Sequence, residues 1–401
     1  MLTVQLGTPS PKNKRPPRIG LALAGGGVLG LMYELGVLRS LEETLELDFT
    51  SLHAYVGVSA GAMLASGLAN DISAAQICRI FIDNSTPEHR FNPGLFMRPA
   101  FGEFARRARQ APSVIGQAAM DIARNPIGGW WKSLGNFGSL VPSAMFDNAH
   151  LQDFLEQVYS VPGRTNDFRK LRHKLFIVAV DLDNGSAVRF GAPGHDHIPI
   201  SKAVQASAAL PGLYPSVEIE GRNYVDGALR RTLHASAALD EDLDLLIAIN
   251  PLVPYDSDDS DLPSTQTLLD GGLPRVLSQT FRALIQSRMQ AGIKKYQDTY
   301  KTDLILIEPN RNDGRMFFTN VFSYAGRQDL CEHAYQSGRA DLRKNLNILR
   351  PLLDRHGIGM RTEPLKSYRR LVDGLRVDAP ITNALASGLD RTLSRLESAL
   401  G

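Results

Sequence analysis

The chain has 401 residues, of which 43% are hydrophobic and 21% charged, and a formal net charge of +2 at pH 7. Those values describe an ordinary globular protein with room for one large core or two domains, and so mild a charge does not by itself imply a nucleic-acid partner. Two cysteines exclude a disulfide scaffold, and the absence of any zinc-like or calcium-like ligand spacing leaves no metal or other cofactor to expect.

Residues 1–18 carry Lys12, Lys14, Arg15 and Arg18 among prolines, without the continuous apolar run of a signal peptide, and read as a mobile basic tail. From Arg18 to Ala24 the residues are apolar enough for a strand buried on both faces. Gly25-Gly26-Gly27 follows, and then Val28, Leu31, Leu35, Leu38, Leu41 and Leu45 recur at helical spacing. The stretch Phe49 to Asn70 has no charged residue, yet its period switches from strand to helix midway, which suits a buried interior better than a lipid span. Within it, Gly57-Val58-Ser59-Ala60-Gly61 sits at the switch.

From about 91 to 146 glycine, proline, Phe, Met and the pair Trp130-Trp131 accumulate, with a surplus of basic residues. This segment reads as an insertion, a lid or a peripheral membrane contact. Lys174 to Asp181 is a clear strand, followed by a turn at Asp183-Asn184-Gly185 and a short strand near Ala187 to Phe190. A short helix is expected within residues 199–217, and Tyr224-Val225 runs into Asp226-Gly227-Ala228. Leu243 to Ile249 and Leu304 to Ile307 are further buried strands. The stripe Leu277, Phe281, Ile285, Met289, Ile293 and Tyr296 is expected to face the core, and the chain closes with a leucine stripe from Leu385 to Leu400.

A serine between glycines at a strand-to-helix turn is the pattern of a nucleophile elbow, where the neighbours must lack bulk. The glycine loop offers backbone N–H groups and the positive end of a helix to a developing oxyanion. Its Gly25, Gly27 and Gly30 also fit the dinucleotide fingerprint, but the acidic residue expected at the end of the second strand is replaced by Gly57-Val58-Ser59. No histidine stands out as a base; His234 and His333 are the least unsuitable for a Ser-His-Asp esterase, the alternative that stays open on residues alone.

Three blocks, LALAGGGVLGLMYELGVLRSLEE, GVSAG and AVQASAALPGLYPSVEIEGRNYVDGAL, resemble the patatin-like phospholipases in order and spacing over roughly residues 19–240. The resemblance implies a three-layer α/β/α fold with a mostly parallel sheet, and a Ser-Asp dyad that needs no metal. Ser59 would be the nucleophile and Asp226 the base, with Gly25, Gly26 and Gly27 as the oxyanion loop and Gly30, Gly57, Gly61 and Gly227 in support. It implies carboxylic acyl esters of lipids as substrates. Members of the family often carry Arg or Lys where this chain has Leu29, so a negative headgroup would find no cation there. An aspartate is ordinarily a weaker base than histidine, and burial is what would strengthen it. The expected organisation is a basic tail to residue 18, a catalytic domain over 19–310 and a helical extension over 311–401. A cytoplasmic location with peripheral membrane contact is expected.

Overall fold

The computed structural model describes residues 1–7, 15–83, 98–100, 144–257, 272–319 and 324–375, with a few single residues between 105 and 120. Most of the expected insertion at 91–146, and the leucine stripe from 385, lie outside the described residues.

Nine strands are described: β1 (Leu2–Gln5), β2 (Ile19–Leu23), β3 (Ala54–Gly57), β4 (Lys174–Asp181), β5 (Ala187–Phe190), β6 (Val217–Ile219), β7 (Arg222–Asp226), β8 (Leu245–Ile249) and β9 (Asp303–Ile307). They join one sheet in the order β1-β9-β8-β2-β3-β4-β7-β6, with β5 paired to β4 beside this path. The central strands β9, β8, β2, β3 and β4 run parallel, and β1, β5, β7 and β6 add antiparallel edges. Parallel strands need helical crossovers, so both faces are covered.

Alternation along the strands separates the two faces. Leu21 and Leu23 of β2 and Ile247 and Ile249 of β8 point toward α1 (Gly27–Thr44) and α2 (Ala60–Ala69). Ala22, Leu246 and Ala248 point the other way, joining residues of α6 (Ser236–Leu239) and α7 (Gly272–Thr299). Three short helical elements complete the first half: α3 (Ala74–Cys78), α4 (Ala149–Tyr159) and α5 (Ile200–Ser207). Beyond β9 come α8 (Gly314–Phe318), α9 (Tyr324–Lys344), α10 (Leu346–Arg355) and α11 (Glu363–Lys366). Helix α1 is buried nearly all round because the sheet lies on one side of it and α9 on the other.

Two expectations are corrected. The basic tail does not begin at Met1: Leu2–Gln5 alternate as a strand and pair antiparallel with β9, covering an otherwise open edge. The ends of this strand are tied down, the terminal ammonium to Asp341 at 2.7 Å and the Gly7 N–H to Asp303 at 2.7 Å. In α7, Leu277 and Phe281 are 45% and 48% exposed, while Arg282, Gln286, Met289 and Ile293 face inward. The reason is the surface that the first half of α7 meets: it is the backbone after β8, whose polar groups need partners. Arg282 donates to the Val253 carbonyl at 3.3 Å, and Gln279 bonds both the N–H and the carbonyl of Tyr255. No described helix is long and apolar enough to cross a membrane.

Candidate active site

Strand β3 ends at Gly57, and the chain turns sharply through Ser59 into α2. Ser59 has φ 52° and ψ −118°, a left-handed conformation that a side chain adopts only when its surroundings impose it. Three backbone bonds do so: Val58 N–H to the Leu23 carbonyl, Gly61 N–H to the Ala24 carbonyl, and Ser59 N–H to the Ser207 hydroxyl at 2.8 Å. Ser207 in turn donates to the Val178 carbonyl at 2.6 Å, so one hydroxyl locks the elbow to β4. A Cβ on Gly57 would lie 2.4 Å from Ala62 Cα, and one on Gly61 would lie 2.5 Å from the Ala24 oxygen. Both obstacles are backbone, which cannot move aside as a side chain can. Gly61→Ala is therefore expected to lower unfolding free energy by roughly 3 kcal/mol, read from urea denaturation. A loss below about 1 kcal/mol would show that the turn is not so tightly wedged.

Gly25-Gly26-Gly27 connects β2 to α1. Gly27 has φ +59° with open space around it, so the loop is exposed there. Gly26 and Gly30 lie under Pro251, to which a Cβ on either would come within 2.9 and 3.0 Å. Among the described residues none accepts from the N–H groups of Gly25, Gly26 or Gly27. The last stands in the first turn of α1, where amides have no partner within the helix. The positive end of the helix macrodipole adds to them. Two turns into the helix, Glu34 is fully buried beside the Ala24 amide, whose hydrogen bond goes instead to Ile249; burial raises its carboxyl pKa well above the usual range.

Asp226 closes β7, and the register explains why it meets Ser59. Gly57 is opposite Ile177 of β4, and Asp226 is opposite Ala179, two residues further along. Asp226 therefore stands level with the residue two past Gly57, which is Ser59, across the width of β4. Its own N–H donates to the Ala209 carbonyl at 2.9 Å, and its Oδ1 accepts from the Ala228 N–H at 2.8 Å. The side chain is buried, and this burial pushes its pKa up to about 6 against the opposing pull of the Ala228 amide and the Ser59 hydroxyl. The two side chains adjoin, the Ser59 hydroxyl acting on Asp226 as a hydrogen-bond partner. Gly227 permits the approach, because a Cβ there would lie 2.2 Å from the Val178 oxygen. A Cβ on Gly25 would lie 3.3 Å from that of Ser59 and 3.1 Å from that of Ala228. The glycine loop, the elbow and the aspartate turn thus converge within the width of one side chain.

No histidine among the described residues bonds to Ser59. His234 contacts the Gly227 carbonyl through Nε2 at 3.2 Å, and His333 pairs with Asp313 at 2.6 Å. His53 is taken by Arg18, and His197 by Glu220. Asp181 receives Arg222 and the Asp183 and Asn184 nitrogens, and the Arg222 guanidinium holds its pKa low. Reading the sequence missed Ser207 as the anchor of the elbow; the signal would have been a serine closing a short helix in the block that precedes the Asp-Gly turn. It also missed Glu34, an acid fully buried between apolar residues of α1.

A mostly parallel sheet with helices on both sides, a strained serine elbow and a glycine loop opening a helix define an α/β protein of hydrolase type. Residues 21–239 match the family model described as patatin-like phospholipase, more than half of the chain, and the protein belongs to that family. Among curated relatives, a cGAMP-activated phospholipase of Pseudomonas aeruginosa is 27% identical over 216 residues, 52% of each chain. This chain thus spans about half the length of that relative. Among solved structures, VipD from Legionella pneumophila matches at 18% identity and a TM-score of 0.32, over 64% of this chain and 55% of its own. The type III effector ExoU, known from Pseudomonas aeruginosa, matches at 17% identity and a TM-score of 0.28, over 85% and 65%.

Proposed function

We propose that the protein is a serine lipid acyl hydrolase of phospholipase A, lysophospholipase or esterase type, working through a Ser59–Asp226 dyad. The observation that carries the reading is the convergence of Ser59, Asp226 and the open amides of Gly25–Gly27 at one point. Ser59 Oγ attacks the ester carbonyl while its proton passes to the Asp226 carboxylate. The carbonyl oxygen gains negative charge beside the glycine amides, which are already oriented and need no rearrangement. Asp226 returns the proton to the leaving alcohol, and an acyl-Ser59 ester remains. Water, deprotonated by Asp226, attacks that ester; the Ser59 oxygen departs, taking the proton back from Asp226, and the fatty acid is released. The Ser59 N–H cannot serve the oxyanion, since Ser207 already holds it.

Family membership supports a lipid ester as substrate. Leu29 packs against the core, so headgroup charge is not read at that position. Two buried free cysteines, Cys78 and Cys331, suit a reducing, cytoplasmic compartment, and we assign membrane contact to the region of about 91–146. The test is a panel of phospholipids, lysophospholipids and simple esters, with products identified by mass spectrometry and Ser59 probed by a fluorophosphonate. Fatty-acid release by the wild type with labelling at Ser59 is expected. Release that continues undiminished in Ser59→Ala would overturn the reading.

A further inference from the structure

His234 is a buried histidine that the reaction proposed above does not use, and its surroundings are specific. It lies at φ +42°, a backbone conformation that side chains rarely adopt, two residues before α6. That bend returns the ring toward the turn seven residues earlier, where Nε2 meets the Gly227 carbonyl at 3.2 Å. A carbonyl accepts only, so the ring must carry its proton on Nε2 to make this bond.

The Asp226-Gly227-Ala228 turn is held from several sides, and its Gly227 carbonyl accepts from the Arg230 and Arg231 N–H groups at 3.2 and 3.4 Å. Asp226 N–H bonds the Ala209 carbonyl, Ala228 N–H bonds Asp226 Oδ1, and Arg288 donates to the Leu229 carbonyl at 3.3 Å. The His234 ring adds a donor to the Gly227 carbonyl from outside the turn. Without it the Gly227 carbonyl keeps its bonds to the Arg230 and Arg231 N–H groups but loses the one side-chain donor it has among the described residues. The same peptide carries the Ala228 N–H, the group that favours the ionised form of Asp226.

We propose that His234 is a positioning residue that, by donating from Nε2 to the Gly227 carbonyl, fixes the turn presenting Asp226 to Ser59. The inference rests on the dyad reading for its kinetic consequences, but not for the hydrogen bond itself. Burial, and behind it Arg231, Arg189 and Arg230, lower its pKa to about 4, so the ring stays neutral across the range in which Asp226 titrates. The groups acting on Asp226 are its burial, the Ala228 amide and the Ser59 hydroxyl. Movement of the acid limb in a variant therefore reports on that turn.

The test has two arms. In the intact wild-type chain, nitrogen NMR of the histidine rings should show one ring with Nε2–H fixed and no titration down to about pH 5. An Nδ1–H tautomer at His234, or titration at the ordinary histidine range, would overturn the proposal whatever the enzyme does. In kinetics on a soluble ester, His234→Leu should lower kcat about tenfold with KM little changed and move the acid limb of the pH profile upward. His234→Gln, whose amide can donate to the same carbonyl, should recover most of both. Equal rates and equal acid limbs in wild type and His234→Leu would overturn it. So would an acid limb that vanishes in both variants, because that result makes His234 the base. Should His234→Leu not fold, His234→Gln and the NMR arm still decide. Failure of the dyad reading would appear separately, as full activity in Ser59→Ala.

Discussion

Asp226→Asn is expected to lower hydrolysis at pH 8 by about 10²–10⁴-fold and, in the same sample, to make the fold more stable. Burial raises the folded-state pKa of Asp226 to about 6, against an ordinary value near 4 in the unfolded chain. The folded state therefore binds the proton more tightly, and between about pH 4 and 6 it holds more protons than the unfolded state. Stability falls as pH rises through that window. Above it the buried charge costs about 3 kcal/mol, two pKa units at 1.36 kcal/mol each. Asparagine keeps an acceptor for the Ala228 N–H and removes the charge, so a gain of roughly 1–2 kcal/mol is expected at pH 8, shrinking to nothing near pH 4. Wild-type kcat/KM should rise with pH around a midpoint near 6. Thermal unfolding at pH 4 and pH 8, with initial rates from pH 4.5 to 8, checks both halves. A flat rate profile together with an unchanged Tm would remove Asp226 from the mechanism.

The second large effect falls on Ser59. Ser59→Ala should lose at least about a thousandfold in kcat, with folding unchanged, because alanine keeps the Cβ that the elbow already accommodates. Ser59→Gly should be equally inactive yet relieve the positive φ of 52°. It should exceed the alanine variant in stability by about 1 kcal/mol or less, the relief being offset in part by glycine's freedom when unfolded. Circular-dichroism melts of the three proteins beside ester hydrolysis make the comparison. A glycine variant clearly less stable than alanine would mean that the elbow is not strained.

Much of this architecture is legible in the residues because its rules are local. An apolar run such as Ile19–Leu23 can only be a strand buried on both faces, and Gly57, Ser59 and Gly61 mark a turn that tolerates no bulk. What brings Asp226 to Ser59 is not local. It depends on β7 pairing antiparallel to β4 with Asp226 opposite Ala179, and no spacing in the chain encodes a register between strands more than forty residues apart. Helix α7 departs from its apolar period for a related reason, and only in its first half: Met289 and Ile293 face the core as expected, but the first half meets polar loop backbone, so Arg282 turns inward there. The strand Leu2–Gln5 was hidden because four residues of alternation carry little signal until an open sheet edge is there to receive them.

Ser207 and Ala209 are two residues apart, one holding the amide of Ser59 and the other the amide of Asp226. The separation of the two groups, set by the register across β4, is thus also gauged by this one short piece of chain. Thermal breathing of the outer helices would then carry both along together, as common-mode motion that leaves their difference unchanged. For anyone transplanting this chemistry to another scaffold, the elbow and the aspartate turn do not suffice as separate grafts; the caliper between them has to travel too.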